Sequence, residues 1–525
     1  MKTSDMHAAD NRRISLLNAV ERIGNLLPHP VTLFAIMSAM ILACSWLAAA
    51  LGLSVADPRA PSAAPATITA VNLLDADSVV RILTSLVPNF TSFAPLGTVL
   101  VSLLGVGVAE RSGLISAAVR KIVCGAPRRL TTYAVVFAAV MSNVAGELGY
   151  VVLIPLSAAV FRSLGRHPLA GIAAAFAGVS GGYSANLLLG TVDPLLAGIT
   201  QASAQLLDPN YAVSAAANWY FMAASAIMIT FVGGFVTERF VEPRLGAYHV
   251  SEASPQAPDA DEMAAGLTQR ENRALLAASA VALAGFALLA AAIAWPGSPL
   301  RDAAGALGPK APLYGSVVAL ILLLFLLPGI AYGTRVGTIR SDRDVIDAMS
   351  STMSSMGAYI VLVFFAAQFI AFFNWSQLGP IFAVTGANLL RAVDLPAPAL
   401  FACFILVCAF ANLAVGSASA QWALTAPIFV PMLMLLGFAP EVSQAAYRIG
   451  DSVTNIITPM MSYYGLVVAV TARYRKNIGV GTLMSMMLPY STTFLIVWSV
   501  MFSIWVFALG LPVGPGAPTY YPAGA

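Results

Sequence analysis

The sequence predicts an all-α polytopic membrane protein, with about nine transmembrane helices and two opposed re-entrant helical hairpins that form an inverted repeat. Three observations carry this expectation. Hydrophobic residues make up 59% of the 525-residue chain and charged residues 10%, against about 25% charged in a soluble domain. Apolar runs of roughly 20 residues, long enough to cross about 30 Å of hydrocarbon, recur from end to end. Two runs are interrupted by small and polar residues, "SNVAGELG" from Ser142 and "NLAVGSAS" from Asn412.

A polar cytoplasmic leader, 1–29, precedes the first run, "PVTLFAIMSAMILACSWLAAALGL" from Pro30, which is too long for a signal-peptide core and is read as a retained helix. Full spans are expected near 30–53, 88–109, 170–200, 217–240, 273–295, 312–332, 346–374, 440–471 and 480–510. Cytoplasmic loops hold the excess of Lys and Arg. That rule puts Arg12, Arg13, Arg22, Arg111, Arg120, Lys121, Arg128, Arg129, Arg162, Arg166, Arg239, Arg244, Arg335, Arg340, Arg343, Arg473, Arg475 and Lys476 inside. The connection 203–216 and the tail 511–525 carry no positive charge and are expected outside. The N-terminus is then cytoplasmic and the membrane most simply a bacterial inner membrane. Residues 54–87 read as an outside excursion whose later part lies along the membrane surface, and "LLRAVDLPAP" around Arg391 reads the same way. The segment 245–272 is a solvated cytoplasmic linker between membrane halves 30–244 and 273–510.

This orientation closes only if two apolar stretches go in and come back. The first, 130–163, has both ends inside; the second, 397–436, has both ends outside. Each precedes a span that is itself interrupted, 170–200 and 440–471. Asn143 and Asn186 stand 43 residues apart, as do Asn412 and Asn455, and Pro155 and Pro427 occupy comparable places. An inverted repeat with a midplane site is the arrangement of many secondary transporters.

Unpaired backbone groups are tolerated at membrane depth only where they line a wet cavity or are buried in protein, so the breaks mark the site. Helix N-termini there favour anions, and free carbonyls can ligate Na⁺. Asn143, Glu147, Asn186, Asn412, Ser417 and Asn455 offer oxygens suited to a hard cation, so sodium at the hairpin tips is the metal expectation. Glycine and serine there also serve close helix packing. An intramembrane Glu147 is costly and therefore functional by default, or structurally paired. Arg448, Asp451 and Asn455 share one helix face. Arg448 either pairs with Asp451 one turn away or holds a substrate carboxylate bidentately. Asp193 stands ready for a cation or amine, and Trp422 either packs or stacks on an aromatic substrate.

The stretches "SANLLLGTVDPLLAGIT", "NLAVGSASAQWALTAPIFVPM" and "AYRIGDSVTNIITPMMSYYGL" strongly resemble the AbgT family, the p-aminobenzoyl-glutamate transporters, and the resemblance extends over nearly the whole chain. It implies a homodimer in which each subunit carries its own site. It also implies that Asp193, Trp422, Pro440 and Arg448 are site residues, with Ser419, Asp451 and Pro459 at further positions of substrate or ion contact. The implied substrate is p-aminobenzoyl-glutamate, and relatives resembling this chain are associated with export of sulfonamide drugs. A carrier of another organic anion, such as a dicarboxylate, is the alternative.

The expected partners are a small-molecule substrate, the bilayer and a second copy of the chain. Basic residues fall in short clusters, so nucleic acid is not expected. No GxxxxGKS is present for ATP coupling, which leaves Na⁺ or H⁺ as the coupling ion and no cofactor. No enzyme is expected: an intramembrane hydrolase needs a nucleophile and base, and the four histidines all lie outside the apolar centres. A passive channel would be separated from a carrier by the absence of saturable, gradient-driven accumulation. Cys44, Cys124, Cys403 and Cys408 form no CxxC pattern and read as packing residues.

Overall fold

The structure, a computed structural model, describes residues 30–58, 66–145, 149–248, 266–302, 304–307, 311–475 and 479–521. The leader 1–29, Glu147 and most of the linker lie outside the described residues. Helix α1 (Pro30–Ala50) is apolar throughout. An antiparallel pair, β1 (Ser54–Ala56) and β2 (Thr67–Thr69), follows it. Helix α2 (Ala76–Thr91) is capped by Asp75, which accepts from the Ser78 N–H, and α3 (Ala94–Arg111) carries Pro95 in its first turn. There the missing N–H of Pro95 costs nothing, and the extended backbone of Phe93 separates α2 from α3. The span expected at 88–109 is carried mainly by α3, and its first residues belong to the end of α2, beyond a turn at Ser92 and Phe93. Helix α4 (Leu114–Cys124) leaves Gly113 at φ 90°, a conformation glycine adopts without a Cβ penalty.

The first hairpin consists of α5 (Thr131–Ser142) and α6 (Ile154–Ser163), the latter entered through a wide turn at Gly149–Leu153. Helix α7 (Pro168–Phe176) widens at Ala177–Gly181 and unwinds; the chain becomes helical again as α8 (Val192–Ala204). Pro168 starts α7 where a missing N–H costs nothing. Helix α9 (Trp219–Val236) continues through Thr237–Val241 to Glu242–Leu245.

The second half opens with α10 (Gln269–Ala294), whose Thr268 and Glu271 make a reciprocal capping box. Next come α11 (Val317–Val336), α12 (Asp342–Ser355) and α13 (Gly357–Trp375). The span expected at 346–374 therefore breaks at Met356. Residues near Arg391, expected as a surface stretch, end a 16-residue helix, α14 (Leu378–Val393). The second hairpin is α15 (Ala397–Ala414) and α16 (Ala418–Leu435). Pro155 lies within the continuous helical stretch Gly149–Ser163 and Pro427 within α16, so the returning arm of each hairpin carries a proline. Helix α17 (Pro440–Asn455), an unwound stretch at 456–463, α18 (Tyr464–Tyr474) and α19 (Val480–Ser503) complete the chain.

Among the described residues nine helices are long and apolar enough to cross a membrane. Their membership differs from the sequence expectation. The arms of the second hairpin, at 18 residues each, qualify by length, while each interrupted span is a pair of half-helices. The core is made of the repeats: every residue of α7 and every residue of α17 is buried. By contrast α10 exposes Leu276, Leu283 and Leu288, as a lipid-facing helix does.

Candidate transport site

Each hairpin tip docks on the unwound stretch of its own repeat. Asn143 Nδ2 donates to the carbonyls of Gly178 at 3.4 Å and Gly182 at 3.2 Å. Asn412 Nδ2 donates to the Asp451 carbonyl at 2.8 Å, to Thr454 Oγ1 at 3.0 Å and to Asn455 Oδ1 at 2.8 Å. The Asn143–Gly182 and Asn412–Asp451 bonds both span 39 residues, so the repeats share one hydrogen bond at one spacing. The approach is close in both and tighter in the second. A Cβ on Gly190 would lie 3.1 Å from Val144 Cα, and one on Gly416 would lie 2.6 Å from the Met460 backbone. Thr458 adds a bond from its hydroxyl to the Leu413 carbonyl at 3.0 Å.

The repeats diverge at the second asparagine. Asn455 bonds Asn412 because α17 stays helical to that residue. The first repeat has already unwound before Asn186, whose backbone N–H instead donates to the Met222 carbonyl at 3.3 Å. Trp219 ties this stretch to α9 through its indole N–H, 2.9 Å from the Leu187 carbonyl.

The two repeats meet through charge. Arg448 Nη1 lies 2.7 Å from Asp193 Oδ1, both side chains being almost fully buried. Asp193 Oδ2 accepts from the Gly190 N–H at 2.7 Å, and Arg448 Nη2 donates to the Ser184 carbonyl at 3.0 Å. Ser184 N–H reaches Ser452 Oγ at 3.2 Å. The pairing of Arg448 with Asp451, left open by the helix spacing, gives way to a partner across the repeat. Asp451 stays on the same face, is fully buried, and faces the Tyr447 hydroxyl at 3.5 Å. Asp193, expected to meet a cation or amine, holds a cation of the chain itself.

Trp422 is covered. It is 0% exposed, stacks on Tyr447 at 4.3 Å between ring centroids, and donates to Thr200 Oγ1 at 2.9 Å. Thr200 in turn donates to Gln444 at 2.6 Å. Its expected face for an aromatic substrate is thus taken by Tyr447, because the α16 face that carries it turns into the core. Pro440 is likewise buried, at the first turn of α17, and Pro459 is half-buried in the unwound stretch.

Beside this layer lies a cavity of about 180 Å³, bounded by Ser417, Ser419 and Asn455 from the second repeat and by Tyr150, Tyr183, Val192 and Leu195 from the first. Ser462 and Tyr463 close it, and Tyr463 stacks on Tyr150 at 4.8 Å with planes 9° apart. The three tyrosines escaped the sequence reading. Position next to a break was their only signal: Tyr150 follows Gly149, and Tyr463 stands four residues past Pro459. Among the described residues no three His, Cys, Asp or Glu side chains cluster for a metal ion. The oxygens that the described tip residues offer a cation are neutral ones. Asn143 Oδ1, Asn186 Oδ1 and Asn412 Oδ1 are buried without a hydrogen-bond partner, a donor set that fits Na⁺. Ser417, whose hydroxyl caps α16 and faces Ser419 at 3.4 Å, is the other described candidate ligand at that tip.

The model of the AbgT putative transporter family matches residues 15–521. The chain belongs to the AbgT family. It is 37% identical over 497 residues to the p-aminobenzoyl-glutamate transport protein of Escherichia coli (strain K12), covering 95% of each chain. Among solved structures, MtrF of Neisseria gonorrhoeae, described within a class of antimetabolite efflux pumps, is 58% identical with a TM-score of 0.90, over 96% of this chain and 100% of that one. The YdaH transporter of Alcanivorax borkumensis is 44% identical with a TM-score of 0.86, over 93% of this chain and 100% of that one. This AbgT-family chain is therefore a multi-pass membrane transporter and not an enzyme.

Proposed function

We propose that the chain is a cation-coupled secondary transporter of p-aminobenzoyl-glutamate that also exports sulfonamide-type antimetabolites. The observation that carries this reading is the buried Arg448–Asp193 pair linking two broken helices beside a cavity with tyrosine and hydroxyl walls. A substrate carboxylate takes the place of Asp193 on the Arg448 guanidinium, whose planar fork suits it. The aromatic ring lies against Tyr150 and Tyr463, and Ser417 and Ser419 meet its polar substituents. The names of the E. coli and Neisseria relatives support the substrate and the direction.

The coupling ion is Na⁺ or H⁺. Sodium would be held by the asparagine oxygens at the tips, with Ser417, Asn455 and Glu147 as further ligands. Alternating access follows from rocking the repeats against the remaining helices. The working molecule is a homodimer in the bacterial inner membrane, with its N-terminus in the cytoplasm and its C-terminus outside.

The test is flux of radiolabelled p-aminobenzoyl-glutamate in proteoliposomes under separately imposed Na⁺ and pH gradients, for wild type and Arg448→Ala. Concentrative transport that follows one gradient and vanishes in the variant is expected. Absence of binding and flux in wild type under either gradient overturns the substrate and turns the search to dicarboxylates.

A further inference from the structure

We propose that a second cavity, which shares no lining residue with the first, is a binding site for the headgroup of an anionic phospholipid. It measures about 190 Å³ and lies where the end of the α9 extension, the end of α18 and the first turns of α19 come together. Arg244 and Arg475 stand at it, both exposed, and Thr482 and Ser485 supply hydroxyls. Arg244 Nη2 is 3.4 Å from Ser485 Oγ, so the guanidinium is turned over the cavity and not away from it. Among the described residues no acidic side chain lines it. The nearest acid in sequence, Glu242, is engaged by Arg166 at 2.9 Å and so does not neutralise Arg244.

The remaining walls are apolar: Leu169, Phe240, Leu483 and Met486. Phe240 is 52% exposed on the outer surface of its helix, so the apolar wall runs out to where acyl chains lie. Two cations and two hydroxyls at the helix ends, with an apolar wall leading into the hydrocarbon, match a phosphodiester joined to acyl chains. Basic pockets between membrane helices bind acidic lipid headgroups by this combination. A free phosphate would use only the polar half.

The experiment is native mass spectrometry of the purified full chain in detergent, titrated with phosphatidylglycerol, phosphatidylcholine or inorganic phosphate. Wild type should retain phosphatidylglycerol over phosphatidylcholine by about 30-fold, the ratio two arginines near an anionic headgroup supply. Arg244→Gln/Arg475→Gln should lose that preference, and Arg239→Gln/Arg473→Gln, on the same edge but outside the cavity, should keep it. Equal retention of the two lipids by wild type overturns the proposal, as does an equal loss in both double variants, which would mean diffuse surface charge. Inorganic phosphate binding as tightly as phosphatidylglycerol overturns the lipid assignment. If the first pair does not fold, Thr482→Val/Ser485→Leu fills the cavity without removing charge, and undiminished preference there overturns the site.

Discussion

Arg448 is buried and its charge is answered by Asp193 alone among the described carboxylates within ion-pair distance. Removing one partner of such a pair costs about 3–5 kcal/mol, because the other charge is left without compensation. Asp193→Ala is therefore expected to lower the unfolding temperature sharply and abolish flux. Asp193→Ala/Arg448→Met should regain most of the stability and none of the transport; a double variant no more stable than the single one would refute a mutual pair. Trp422 and Tyr463 make opposite predictions. Trp422→Phe keeps the stack on Tyr447 and loses one hydrogen bond, about 1 kcal/mol, so thermal unfolding should register it and KM should not. Tyr463→Leu removes an aromatic wall of the cavity and is expected to raise KM about tenfold, within the range of an aromatic contact, while Tyr463→Phe restores it. A wild-type KM in the leucine variant would move the aryl contact elsewhere.

At the scale of elements, the hairpins work by close approach of a tip to an unwound backbone. Gly416 permits it in the second repeat, where any Cβ would meet the Met460 backbone at 2.6 Å. Gly416→Ala must push the tip away from the 456–463 stretch and is expected to cut flux at least tenfold, a barrier increase of about 1.4 kcal/mol. Gly465→Ala, with open space at its Cβ position, should transport like wild type. The 43-residue asparagine spacing legible in the sequence is a bond in the second repeat alone, while the bond both repeats share runs from the first asparagine to a carbonyl 39 residues on. It could not reveal that only Asn412 also bonds its later partner, because that depends on where each helix unwinds.

The whole molecule is tied together at one end by its C-terminal tail. Val513 accepts from the Phe221 N–H at 3.0 Å, Thr519 from the Ala439 N–H at 3.1 Å, and the Tyr521 N–H donates to Gly437 at 2.9 Å. The tail thus joins α9 of the first half to the start of α17 in the second. Truncation after residue 510 is expected to cost roughly 3 kcal/mol, about 1 kcal/mol for each net hydrogen bond, read as a lower unfolding temperature of the full-length fold in detergent. An unchanged melt would mean the tail rides passively on the surface.

The sequence by itself determined the membrane class, the two interrupted hairpins and the repeat, because hydrophobic run length and helix-breaking residues act locally. It also carried the family, through three long motifs. Tertiary structure alone decided which charged groups meet: Arg448 had a plausible partner three residues away, yet ion pairing depends on distance in space, and the crossing of the repeats puts Asp193 closer. It likewise decided that Trp422 is sealed behind Tyr447 while Tyr150 and Tyr463 face the cavity. Both faces of an apolar helix look alike in a sequence whose outside is as hydrophobic as its core, and only packing tells them apart.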